Sequence, residues 1–186
     1  MPRVFFIIAL LAAAACQPGD GAARTEPVII TVLAPQAAGE APAGGLFERY
    51  GLSGPASGYA RANLQALESR EIAASYPPGA PQATWRGPLL SAVLDAAGAP
   101  GAGAALTALD GYTVEVSAED IRRYEPILAL TADGKALATG GLGPAVLIWP
   151  QDFPGPQSQE GAAAWVWGVF ALEARAPGAA APANIP

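Results

Sequence analysis

The sequence predicts an α+β fold, a single domain on a mixed sheet with short helices. Three observations point to it. Apolar and β-branched runs such as EPVIITVL (26–33) and PILALT (126–131) recur along the chain, and runs of that length read as strands. One segment, Leu89–Ala97, carries its apolar residues at helical spacing. Turn signals stand between such runs, Asp133-Gly134 the strongest of them. No internal repeat is present.

Taken in order, Glu26–Leu33 is expected as the first strand and the Ala- and Gly-rich sequence to Gly45 as a loop. Leu46–Tyr59 has no dominant period. Ala60–Leu67 has the spacing of a short helix, and Glu71–Ser75 follows as a strand. Pro77, Pro78, Gly79 and Pro81 break any regular element, and Thr84–Arg86 resumes extended backbone before Pro88. In Leu89–Ala97 the residues Leu89, Leu90, Val93, Leu94 and Ala97 share one face, and Gly98 supplies the stop. Ala105–Leu109 and Tyr112–Val116 read as strands joined at Asp110-Gly111, with Val114 and Val116 on one face. Ser117, followed by Asp120, reads as the N-cap of a helix over Ala118–Tyr124. Pro126–Thr131 and Ala136–Ala138 flank the Asp133-Gly134 turn. Ala145–Trp149 and Trp165–Ala174 complete the strands, separated by the loop QDFPGPQSQEGAAA (151–164).

Arg3, the apolar run Val4–Ala15 and the small residues before Cys16 make residues 1–15 a secretory signal. The run is shorter than the roughly 20 residues that span a bilayer. Cys16, directly after Ala13, Ala14 and Ala15, resembles the lipobox cysteine of bacterial lipoproteins, with Ala13 where Leu is usual; plain secretion with a free Cys16 is the alternative. Gln17 points to outer-membrane sorting if the lipid is added. Residues 16–25 are then a lipidated or flexible tether, 26–175 the folded domain, and 176–186 a disordered tail. The expected location is periplasmic, with the membrane touched only through the lipid anchor. Acidic residues outnumber basic ones by 16 to 10 and Lys135 is the sole lysine, which argues against nucleic acid as a partner. The chain has no histidine, so the usual general base and the commonest metal ligand are both missing.

Over residues 84–174 the words TWRGPLLSAVLDAAGA, ALDGYTVEVSAEDIRRY, ILALTADGKAL, GLGPAVLIWP and WVWGVFALEA follow one another. In order and spacing they resemble the molybdopterin-binding domain of the sulfite oxidase family. The match is nearest to small, exported, cysteine-less members. In that family's molybdenum enzymes a cysteine thiolate holds the metal; it would fall near Ala74–Tyr76, where no thiol stands, and Cys16 lies in the signal. Those enzymes also grip the cofactor phosphate with an Arg and a Lys, at places taken here by Val146 and Trp167. A phosphate buried without cations is costly, so the resemblance implies the fold without the molybdopterin cofactor.

Some cysteine-less relatives bind free pterins and report to a membrane-bound enzyme of cyclic-di-GMP metabolism. The resemblance therefore implies a non-catalytic, exported binding protein for a metal-free pterin. A carboxylate can pair with the aminopyrimidine edge of a pterin and an indole or phenol can stack on its face. Asp110, Tyr112, Trp149, Trp165 and Trp167 stand where the family places its ligand, with Arg86 a further candidate. Each has an alternative: Asp110-Gly111 as a plain turn, Tyr112 and Trp149 as packing residues, Arg86 as a solvated surface group. Trp165 and Trp167 share a strand face by the period of two. Two other functions stay open, a molybdopterin-dependent oxidoreductase and an interaction protein with a vestigial pocket.

Overall fold

The computed structural model describes residues 26–76, 79–154 and 165–176. The expected signal, Cys16, the tether to residue 25, the tail beyond Ala176 and most of the 151–164 loop lie outside the described residues. In chain order the first strands are β1 (Val28–Leu33), β2 (Gly39–Glu40), β3 (Pro55–Ala60), β4 (Ser69–Ser75), β5 (Gln82–Pro88) and β6 (Gly103–Ala108). They are followed by β7 (Thr113–Val116), β8 (Ile127–Ala129), β9 (Thr131–Ala132), β10 (Lys135–Ala136), β11 (Val146–Ile148) and β12 (Val169–Arg175). The helices are α1 (Gly45–Arg49), α2 (Arg61–Gln65), α3 (Leu90–Ala96) and α4 (Ala118–Tyr124). The class is α+β.

A six-stranded sheet in the order β2-β3-β1-β12-β6-β7 forms the body of the fold. It is mixed, because β1 and β12 run parallel while the other pairs are antiparallel. Its central strands are covered on both faces, which is why Ile30, Thr31, Val32 and Leu33 are buried in succession. One face packs on the main core with α3, whose Leu90, Val93 and Leu94 are buried. The other carries a small cluster in which Phe47 and Tyr50, from α1 and its end, meet Leu33 and Phe170. Phe47 and Phe170 pack edge to face at 5.3 Å. Two smaller sheets complete the fold, β10-β9-β5-β4 and β11-β8.

Local signals set most element ends. The Ser117 side chain accepts a hydrogen bond from the Asp120 backbone N–H at 3.0 Å and starts α4. Gly98, at φ +81°, follows the end of α3. Asp133 and Gly134 both have positive φ and close the β9–β10 hairpin. The segment 46–59, which has no clear period, supplies most of α1 and β3.

Two expected strands are divided. Pro126–Thr131 changes sheets at Leu130: β8 pairs with β11, whereas β9 pairs with β5 and β10. The expected strand Trp165–Ala174 is broken at Gly168, whose φ of +66° turns the chain. Before that turn the chain runs beside β11, where Leu147 N–H donates to the Val166 carbonyl at 2.9 Å and Val146 bridges Trp167. After it, β12 enters the six-stranded sheet.

Two contacts stand out among those that hold the sheets together. Gly87 of β5 lies against the β8 backbone so closely that a Cβ there would stand 2.0 Å from the Leu128 carbonyl oxygen. Arg61 at the start of α2 donates from both terminal nitrogens, to the Leu130 and Leu137 carbonyls, each at 3.0 Å. That fork pins the β9–β10 hairpin to the helix.

Gly87→Ala is expected to cost about 3 kcal/mol or more in urea unfolding, since backbone rather than a flexible side chain must yield. Gly141→Ala, where the nearest atom to an added Cβ is 3.6 Å away, should stay within about 0.5 kcal/mol. Arg61→Met should cost about 1–3 kcal/mol by the same measurement, and Arg61→Lys should recover only part, because one ammonium cannot reproduce the fork.

Candidate functional site

The register of the β4–β5 hairpin places Ser75 opposite Gln82 at its turn end. Ile148 ends β11, and Trp149-Pro150 follows; Pro150 has no N–H to continue a ladder. Its carbonyl accepts from the Phe153 N–H at 3.1 Å, a tight turn that sets the Phe153 ring on Trp149 at 3.8 Å and 12°. Gln151 donates to the Ala73 carbonyl at 3.3 Å and ties this turn to β4. Between the hairpin end and the turn lies a cleft of about 340 Å³, bounded by Ala74, Ser75 and Gln82 on one side and by Trp149, Gln151 and Trp165 on the other. Among the described residues that line it, none has an ionisable side chain. Trp149 is 2% and Trp165 5% exposed, so both form walls and do not project into the opening.

Tyr76, the residue after Ser75, packs against the Trp165 wall. Its ring stacks on Trp165 at 4.9 Å and 10°, meets Trp85 edge-on at 5.9 Å and lies 6.3 Å from Trp167. Trp85 donates its indole N–H to the Ala74 carbonyl at 3.1 Å. The Tyr76 hydroxyl and the Trp165 indole nitrogen, both buried, have no hydrogen-bond partner among the described residues. Burial pushes the Tyr76 phenol well above its ordinary pKa, and the neighbouring Tyr112 adds to the shift.

The six residues singled out from the sequence fall into different surroundings. Trp149 and Trp165 border the same cleft. Trp167 packs beside Tyr76 and is 47% exposed, on the same side as Trp165, as the period of two implies. Tyr112 is exposed but acts electrostatically on Tyr76. Asp110 is exposed, and its carboxylate accepts from the Tyr112 backbone N–H at 3.0 Å, closing its own turn. Tyr50 packs under that turn: its hydroxyl donates to the Leu109 carbonyl, and a Cβ on Gly111 would lie 2.6 Å from its ring. Arg86 alternates with buried Trp85 along β5, so it faces away from the aromatic cluster, and it pairs with Glu71 at 3.4 Å.

Sequence reasoning missed Tyr76, Gln82, Gln151 and Phe153. The alternation along β4 that buries Ile72 and Ala74 extends to Tyr76 and was the available signal for it; nothing local marks the two glutamines.

Ala74, Ser75 and Tyr76 carry no thiol. Val146 is fully buried and bridges Trp167, so these two adjacent positions carry no cation. Among the described residues no group of three or more His, Cys, Asp or Glu side chains could hold a metal ion.

No family model matches the chain, and no curated protein does. A solved structure similar to it is the sulfane dehydrogenase SoxCD from Paracoccus pantotrophus, with 17% sequence identity and a TM-score of 0.46 over 64% of this chain. The chain spans about a third of that protein's length, 35% of it.

Proposed function

We propose that the chain is an exported, non-catalytic binding protein for a free pterin, which it takes up in the cleft between the β4–β5 hairpin and the end of β11. The observation that carries this reading is the cleft itself: about 340 Å³, walled by two indoles, with no ionisable side chain among the described lining residues. That volume is at the lower end of ligand pockets, about 300–1,000 Å³. It suits a compact bicyclic heterocycle better than a nucleotide-extended cofactor. The absence of cations from the lining disfavours a phosphate, while the Gln82 and Gln151 amides and the Ser75 hydroxyl can serve the polar edges of a neutral ring. The family resemblance of residues 84–174 supplies the ligand class. The signal-like start and Cys16 support a periplasmic, lipid-anchored protein, and the same resemblance supports a membrane-bound cyclic-di-GMP enzyme as the partner that reads pterin occupancy. A molybdopterin-dependent oxidoreductase is opposed by the donor set at residues 74–76, 146 and 167. The near-complete burial of both indoles favours, as a second reading, an interaction protein whose pocket is vestigial.

Mass spectrometry of the small molecules released from natively purified periplasmic protein, with molybdenum assayed on the same sample, should find a stoichiometric metal-free pterin. Molybdenum with a pyranopterin would overturn the reading. A protein that is empty and binds no added pterin would leave the interaction protein. Trp165→Ala should weaken binding about tenfold or more, a loss of roughly 1.4 kcal/mol per decade. Affinity should be flat between about pH 5.5 and 8.5, because the described lining residues include no ionisable side chain and burial moves the Tyr76 phenol still further above that window; a titration with an apparent pKa near 6.5 not belonging to the ligand would contradict this.

A further inference from the structure

We propose that the Tyr76 hydroxyl and the Trp165 indole N–H form a buried donor pair at the edge of the cleft, which receives a ring carbonyl oxygen of the ligand; this rests on the pterin reading. Both side chains are 5% exposed, their rings are stacked, and neither polar atom has a hydrogen-bond partner among the described residues. Trp165 lines the cleft, and so does Ala74, which shares the strand face of Tyr76. Elsewhere the fold satisfies such groups: Trp85, in the same cluster, donates to the Ala74 carbonyl, and the Tyr50 hydroxyl donates to the Leu109 carbonyl. The two orphans are therefore not a general looseness of packing but are confined to one place, beside the cleft.

The hydroxyl of Tyr76 adds nothing to the stacking, which a phenylalanine would keep. Left without a partner it destabilises the fold, so its presence calls for a partner that arrives from outside. An indole N–H can only donate, and a phenol can donate. What the pair can receive in common is an acceptor. A carbonyl oxygen has two lone pairs, one for each donor, and a pterin carries one on its pyrimidine ring. Both atoms lie within the wall, so the ligand parts Trp165 from it as it seats, a movement that the fluorescence of that indole reports.

The test uses the full chain with pterin and with 2-aminopteridine, which lacks the carbonyl, in titrations that follow the fluorescence of the probe itself, and in thermal melts, of wild type, Tyr76→Phe and Trp165→Phe. Tyr76→Phe is expected to melt at the same temperature as wild type or higher, to bind pterin about tenfold or more weakly, and to bind 2-aminopteridine as wild type does. Trp165→Phe, which keeps a stacked ring, should show the same selective loss and serves if the first variant does not fold. Equal pterin affinity in wild type and both variants would overturn the donor pair while leaving the pterin reading standing. A lowered melting temperature with equal losses for both probes would also overturn it, since the groups would then be structural. Wild-type protein that binds neither probe would overturn the pterin reading and the donor pair with it.

Discussion

The backbone contact between β5 and β8 at Gly87 is the constraint on which the rest depends. β5 belongs to the four-stranded sheet with β4, and β8 to the two-stranded sheet with β11. One wall of the cleft is the end of the β4–β5 hairpin and the other follows β11. Their separation is therefore set through β5 against β8 and β8 against β11, with the Pro150–Phe153 turn the last step to the cleft. A side chain at position 87 would have to part the two sheets, because what it meets is the Leu128 carbonyl and the Ala129 Cα. The Arg61 fork fixes the same region from the other side, holding the point where the chain leaves β8 for β9. A site placed between rigid strands in this way holds its shape better than one built on loops.

The aromatic wall shows an opposition between stability and use. Stacked and edge-on ring pairs contribute about 0.5–1.5 kcal/mol each beyond their area, and Tyr76 makes such contacts with Trp165 and Trp85. Each buried polar atom without a partner costs about 1–3 kcal/mol, and the same pair of rings carries two. The polar penalty is comparable to that ring-pair term, so a purely structural cluster would be better served by phenylalanine. Sites that sacrifice stability in this manner are commonly functional.

What could be read from the sequence was what neighbouring residues decide. Ser117 caps α4, Gly98 follows α3, and Asp133-Gly134 turns a hairpin, because each acts within a few residues along the chain. What could not be read was where a run of apolar residues changes partner. PILALT looks like one strand, yet Leu130 lies where the chain passes between sheets; WVWGVFALEA looks like one strand, yet Gly168 divides it. The same limit governs the site. Trp149 and Trp165 were recognisable as aromatics at strand ends, but Ala74, Gln82 and Gln151 become neighbours only through long-range pairing. Asp110 was ambiguous for a physical reason: the carboxylate that could read a ligand edge is also a good acceptor for the N–H two residues on, and here it makes that bond.

The bridge between Val146 and Trp167 joins two neighbouring positions in opposite surroundings. Here Val146 is fully buried among β8 and the main core, while Trp167 is 47% exposed beside Tyr76. A guanidinium introduced at 146 would enter an apolar interior with no carboxylate to meet it, and an unpaired buried charge costs several kcal/mol. A lysine at 167 would be tolerated by solvent but would remove a ring from the aromatic wall. The two positions are thus neighbours that have been committed in opposite ways, one to the core and one to the aromatic cluster. A site for a charged ligand could not be built here by exchanging two side chains; β11 and its surroundings would first have to repack.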